Sequence, residues 1–196
     1  MADSSNWRVG VPAVTTSLRG VVGAVVTLRV LDHAVHSGMY GGPVLDAVTL
    51  MARLVGTLHN EDGTVAVAGL DVNDHEGVTY DEADYRADAG VLDGVQLSST
   101  DSIASGLWAR PALAVTGLDA TGVDAASNTL IPACRAKLSM RIAPGQDPRA
   151  AAGLTASGGA AQARHEQRLG QDHLLQVAGL LRDHLRANAP LGAEVE

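Results

Sequence analysis

One cysteine, one lysine and no phenylalanine occur in 196 residues, and each scarcity closes off a class of protein. Cys134 has no second cysteine in the chain, so an internal disulfide and a cysteine-based zinc cluster are both excluded. Any metal site has to draw on His, Asp or Glu. Lys137 and thirteen arginines stand against 22 acidic residues, leaving a formal charge of −8 and a pI near 5.2. Nothing offers the clustered cations that displace counterions from a phosphate backbone, so nucleic acid is not an expected partner. No apolar run approaches the roughly 18 residues of a membrane span, and the opening MADSSNWRVG has neither the basic nor the apolar region of a signal peptide. The expectation is a cytoplasmic protein of one domain, residues 1–196, large enough to bury a core. Abundant Ala, Gly and Val, with no Phe, imply that this core is built of small aliphatics and that the genome is GC-rich.

What is present falls into a readable order. SLRGVVGAVVTLRVL, Ser17 to Leu31, is rich in β-branched residues and too broken by glycine for a helix, which predicts one long strand. From Pro43 the residues Val44, Ala47, Val48, Met51, Leu54, Val55 and Leu58 recur at helical spacing, predicting an amphipathic helix over 43–59. TVAVAGL, Thr64 to Leu70, reads as a short strand. The acidic, polar stretch that follows reads as an excursion with one or two short helices at about 78–107. ALAVTGLDA is a further strand, and NTLIPACRAKLSMRIAP a long one. In the second, Cys134, Ala136, Leu138, Met140 and Ile142 alternate with Arg135, Lys137, Ser139 and Arg141, giving one core face and one charged face.

Beyond Asp147 the composition is helical, with Leu174, Ala178, Leu181 and Leu185 forming a stripe, interrupted by GLTASGG at 153–159. Gly-Gln-Asp occurs at 145–147 and again at 170–172, a repeat too short to establish a duplication. GAEVE reads as a last strand. Antiparallel strands with helices on one face predict an α+β two-layer sandwich, with function on the polar sheet face or the loops.

The chemistry-bearing residues cluster at one turn, DHAVHSGMYGGPVLDA. His33 and His36 could hold part of a zinc site, but zinc takes three or four ligands and no further ligand stands nearby in sequence. His36 reads either as an inert loop histidine or as a donor to a developing oxyanion, projecting from a glycine-rich turn ahead of a helix. Ser37 has no base beyond His36, which argues against a serine nucleophile. Arg141 can bind a carboxylate or be a solvated charge, and Asn128 and Thr129 can line a pocket or make local hydrogen bonds. DVNDHEG at 71–77 lacks the glycine spacing and the closing glutamate of a calcium loop.

Taken together, ADSSNWRVGVPAVTTSLRG, DHAVHSGMYGGPVLDA, SNTLIP and KLSMRIAPGQDP resemble the lid, or dimerisation, domain of the carnosinase-like dinuclear zinc metallopeptidases. That family includes cytosolic dipeptidases, aminoacylase and succinyl-diaminopimelate desuccinylase. The resemblance runs from Asp3 to about Pro148 and resumes near Asp172, and HSGMYGG resembles the dipeptidase branch, of bacterial type. It implies a four-stranded antiparallel sheet with two main helices on one face, a ferredoxin-like lid. It also implies a homodimer formed through the 43–59 helix and the 64–70 strand, and a small peptide as substrate.

By the same resemblance His36 reaches into the partner subunit's active site to stabilise the oxyanion of the tetrahedral intermediate. Arg141 binds the substrate carboxylate, and Thr129 and Asn128 line that pocket. Two zinc ions belong to the parent enzyme's catalytic domain, whose His-x-Asp and Glu-Glu segments are not in this chain. Only Asp3 matches a zinc ligand, and one carboxylate cannot hold a dinuclear site, so no stoichiometric zinc is expected here. The segment from about Ala150 to Gly170 is longer than the family's second helix. These expectations make the chain an excised or truncated lid, inactive alone. Two competing readings are a stand-alone α+β dimerisation or ligand-binding module without catalysis, and a zinc site shared across a dimer by His33, His36 and Asp3.

Overall fold

A computed structural model describes residues 10–98, 101–146 and 180–195. Its frame is a ladder of two ten-residue strands, β1 (Gly20–Arg29) and β5 (Ala133–Ile142), paired antiparallel along their whole length. The alternation read in the sequence decides what each face does. Val22, Val26 and Leu28 of β1 and Cys134, Ala136, Leu138, Met140 and Ile142 of β5 are buried, whereas Arg135, Lys137 and Arg141 stand exposed on the opposite face. β3 (Ala112–Asp119) pairs with the free edge of β5, with a register shift between Val115 and Gly117. β6 (Glu194–Val195) pairs with Leu28 and Arg29 of β1, so the closing strand expected at GAEVE is present. The antiparallel sheet has the order β3-β5-β1-β6.

Helices close the buried face. In α2 (Ala47–Gly56) the residues Ala47, Leu50, Met51 and Leu54 are buried at helical spacing and join the sheet residues in one core. The second helix on this core, α5 (residues 180–187), contributes Leu181 and Leu185. Its His184 is tied to the end of α2, with Nε2 lying 2.9 Å from the Thr57 carbonyl and 3.1 Å from the Thr57 hydroxyl. Leu174 and Ala178 of the same predicted stripe, the GLTASGG interruption and Asp3 lie outside the described residues.

Three boundaries differ from the sequence reading, each for a local reason. The predicted helix over 43–59 begins only at Ala47, because Asp46 caps it through the Thr49 N–H (3.0 Å) and Thr49 hydroxyl (2.7 Å) while Pro43 to Leu45 lie outside the helix. The long strand NTLIPACRAKLSMRIAP is two strands, β4 (Thr129–Leu130) and β5, since Pro132 has no N–H to donate to a ladder. The strand predicted over 64–70 does not form within the described chain. Gly63 (φ +83°) just before it and Gly69 (φ +85°) near its end are left-handed positions that turn the backbone, and among the described residues its ladder contact is the isolated bridge between His59 and Val65.

The excursion is helical as expected. It contains α3 (Glu82–Ala89), capped by Asp81 and ended by Gly90 at φ 65°, and α4 (Ile103–Trp108), capped by Ser102. It is pinned to the start of β3 by Arg110, whose guanidinium bonds Asp74 at 2.6 Å and Asp101 at 2.5 Å. DVNDHEG is therefore structural, with Asp74 on Arg110 and the Asn73 amide on the Pro144 carbonyl at 3.2 Å. Among the described residues no helix is long and apolar enough to cross a membrane.

Leu54 is fully buried between α2 and the sheet. Leu54→Ala should lower unfolding free energy by about 2–5 kcal/mol in denaturant titration, and a loss within error of zero would show that this core does not hold the helix. The Arg110 guanidinium holds the Asp101 carboxyl below its ordinary 3.8, at about 2. A carboxylate depressed on folding stabilises above its unfolded value and loses that contribution as pH falls through its folded one. The amide signals of α4 should therefore stay put from neutral pH to about 4 and shift between about 4 and 2, and Arg110→Gln should shift them already at neutral pH.

Candidate functional site

Pro132 ends the β5 ladder and sends the preceding residues away from the sheet, where β4 finds another partner. β2 (Val35–His36) pairs with it antiparallel, placing His36 opposite Thr129 and Val35 opposite Leu130. The Ser37 N–H extends the pairing to the Asn128 carbonyl at 2.9 Å. Three of the residues singled out in the sequence, His36, Thr129 and Asn128, thus meet on one short ladder although 92 positions separate Asn128 from His36.

The His36 ring is fixed by its own turn. His36 caps the four-residue helix α1 (Ser37–Tyr40), and its Nδ1 accepts the Gly38 N–H at 3.1 Å. With Nδ1 used as acceptor, the proton of the neutral ring resides on Nε2, and the residue is exposed. A side chain would be tight at Gly38 and would collide with backbone at Gly41. A Cβ on Gly38 would lie 3.1 Å from His36 Cε1, and one on Gly41 would lie 2.4 Å from the Ser37 carbonyl oxygen, where the Gly41 N–H now donates. Gly42 follows at φ +104°.

Thr129 is fixed in the same way. Its N–H donates to the Ser127 carbonyl at 2.7 Å, and its hydroxyl shares a hydrogen bond with the Ser127 hydroxyl at 2.8 Å. That mutual bond uses one of the two hydroxyl protons, leaving the other hydroxyl of the pair free to donate. Ser127 was not singled out in the sequence; the Ser-x-Thr spacing in SNTLIP is the signal that carries it. A cavity of about 600 Å³ lies behind the turn, bounded by Arg29, Asp32, Pro43, Leu45, Leu50 and Leu191.

Within one copy of the chain, these donors do not converge as zinc ligands among the described residues. His33 Nδ1 lies 2.5 Å from Asp32 Oδ1, His36 Nδ1 is occupied by the Gly38 N–H, and among the described residues no group of three His, Cys, Asp or Glu side chains converges on a point. Asp3 lies outside those residues.

Arg141 is not brought to this ladder. It sits at the far end of β5, paired with Val21 on one side and Ala112 on the other, exposed on the polar face as the alternation predicted. Along the strand from Ala133, beside which β4 departs, Arg141 is eight residues away, or about 26 Å at 3.3 Å per residue. Its surroundings are cationic. Arg19, just before β1, donates from Nη1 to the carbonyls of Gly106 (3.1 Å) and Arg110 (3.2 Å), and both burial and the like charge of Arg141 hold its proton affinity below the ordinary guanidinium value. Arg19 also went unremarked in the sequence, where nothing distinguishes it from a solvated arginine.

Residues 16–156 match the family described as the peptidase dimerisation domain. The whole chain is 35% identical over 201 residues to a cysteinylglycine-S-conjugate dipeptidase of Corynebacterium striatum, covering 38% of that protein. It is 25% identical over 144 residues to the human Beta-Ala-His dipeptidase, an alignment covering 68% of this chain and 28% of the relative. The chain thus spans well under half the length of these curated relatives. The fold is shared with solved structures of a Saccharomyces cerevisiae di-peptidase (TM-score 0.61, 17% identity, 92% of this chain and 35% of that one) and of human carnosine dipeptidase 1 (TM-score 0.59, 20% identity, 94% and 37%). By the extent of the family match and the 35% identity along its full length, the chain belongs to the peptidase dimerisation-domain family.

Proposed function

We propose that this chain is the lid and dimerisation domain of a zinc-dependent, dipeptidase-like amidohydrolase, supplying a histidine in trans and an arginine to composite active sites. The reading takes the parent as a cytoplasmic bacterial enzyme, the fold as the two-layer, ferredoxin-like lid, and this chain as inactive alone. It is supported first by the separation of its two polar ends. His36 and Thr129 present their donors beyond one end of β5 and Arg141 lies at the other, about 26 Å along the strand, whereas a dipeptide spans only about 7 Å. One peptide engages both ends only when they come from two copies of the chain.

The residues divide the work by chemistry. His36 Nε2–H, held in that tautomer by the Gly38 N–H, stabilises negative charge on the carbonyl oxygen of the scissile amide as it becomes tetrahedral. Thr129 and Asn128 line the same position, and the Arg141 guanidinium receives the substrate's terminal carboxylate. Zinc, when bound in the parent's catalytic domain, supplies the activated water; Asp3 is the one residue of this chain read as a ligand to it.

Dimerisation follows from α2 and the 64–70 segment, which forms no strand within one chain and is proposed to gain one by pairing with its counterpart across the two-fold. The exposed side of α2 carries Thr49, Ala52 and Gly56, small residues three and four apart that let two such helices approach closely.

Two measurements test the reading. Sedimentation equilibrium of the chain should give a dimer that Ala52→Glu converts to monomer, and a wild-type monomer at tens of micromolar would sink the assembly. In the parent enzyme, His36→Ala and Arg141→Gln homodimers should each be nearly inactive. Mixing them should restore about one quarter of wild-type activity, because half the reassociated dimers carry one intact composite site. Failure to restore activity in dimers shown to exchange would place both residues in one subunit's site.

A further inference from the structure

We infer that Arg19 is a second guanidinium of the Arg141 site, so that the terminal carboxylate of a peptide is received between two arginines contributed by one chain. This rests on the reading of Arg141 as a carboxylate receptor and adds a residue to it.

The geometry of the sheet end carries the inference. Strands lie about 4.8 Å apart, so β1 and β3, with β5 between them, are about 10 Å apart. Arg19 belongs to the β1 side, directly before Gly20, which pairs with Ile142. Its Nη1 nevertheless reaches the carbonyls of Gly106 and Arg110, which lie on the β3 side, ahead of Ala112. The side chain therefore crosses the end of β5. Arg141 sits there, between Val21 and Ala112. Gly20 tightens the crossing, for a Cβ at that position would lie 2.7 Å from Ile142 Cγ1, and its absence lets β1 close onto β5 where Arg19 departs.

The charge balance at this end calls for an anion. Asp74 and Asp101, the acids of this corner, are both taken by Arg110. Neither Arg19 nor Arg141 has an ion-pair partner among the described residues, and Arg19 is anchored by neutral carbonyls that leave its charge unbalanced. Both Arg19 bonds use Nη1, so the remaining N–H donors of its fork make no hydrogen bond to a described residue. Two like-charged forks, one already immobilised, repel each other until a carboxylate bridges them, and a carboxylate offers four lone-pair sites to the two forks. The ligand class is a peptide with a free C-terminal carboxylate.

The test is an NMR titration of the full chain with glycylglycine, followed on the arginine side-chain Nε–Hε signals, with glycylglycinamide as the control that lacks the carboxylate. The Arg19 and Arg141 signals should move together on one saturation curve and ignore the amide. Arg19→Gln should weaken the dipeptide several-fold with the amide signals of β3 and α4 retained, and Arg19→Lys, keeping the charge without the fork, should fall between. If Arg141 moves while Arg19 stays still and Arg19→Gln binds as wild type does, Arg19 is a tie between β1 and the excursion. The inference then fails while the reading of Arg141 stands. If neither arginine moves, the carboxylate reading of Arg141 fails and this inference with it. Should Arg19→Gln not fold, the Arg19 signal of the wild-type chain decides the matter alone.

Discussion

Every candidate site position described in this domain is set by the ten-residue antiparallel ladder between β1 and β5. Its inner side chains, from Val22 and Leu28 to Met140 and Ile142, are what α2 and α5 pack upon. Its two ends define two separate polar regions. At one end Pro132 breaks the pairing and its carbonyl takes the N–H groups of Val30 (2.9 Å) and Leu31 (3.3 Å), so both chains leave the sheet together and meet again as β2 and β4. At the other end Arg141 emerges between two neighbouring strands, and Arg19, just before β1, bonds the carbonyls of Gly106 and Arg110. A one-residue slip of this ladder would exchange its faces, burying the cations and exposing the core, and the pattern of alternation forbids it.

Much of the frame was legible because it is periodic. Alternation over Cys134 to Ile142 named the core face of β5 correctly, helical spacing named Ala47, Met51 and Leu54 of the buried face of α2 but passed over Leu50, and both short excursion helices fell where the polar stretch placed them. What was not legible depended on single backbone events. The apolar residues of 64–70 have strand composition, but the two left-handed glycines around them decide the path of the chain, and composition does not register φ. Pro132 was in plain view, yet that it splits a strand follows only from knowing which neighbour would have needed its N–H.

The candidate site was legible in a different manner. Local reading left His36 open between an idle loop residue and a donor, and the set of four motifs pointed to the donor. The structure adds the cross-strand meeting of His36 with Thr129 and the tautomer set by Gly38. Ser127 and Arg19 escaped notice for a common reason. Each acts through a group far away in sequence or through a hydroxyl whose neighbour is two residues on, and neither relation has a period that a pattern can reveal.

One hydrogen bond has a wider reach than its size suggests. The Ala47 N–H, the first of α2, donates to the carbonyl of Ile131 at 3.0 Å, the residue between β4 and Pro132. The helix whose outer side carries Thr49, Ala52 and Gly56 is therefore fastened at its first residue to the strand that holds Thr129 opposite His36. A shift of that helix along its axis drags the β4 backbone with it. The position of α2 and the placement of the His36–Thr129 pair are thus mechanically one variable in this fold.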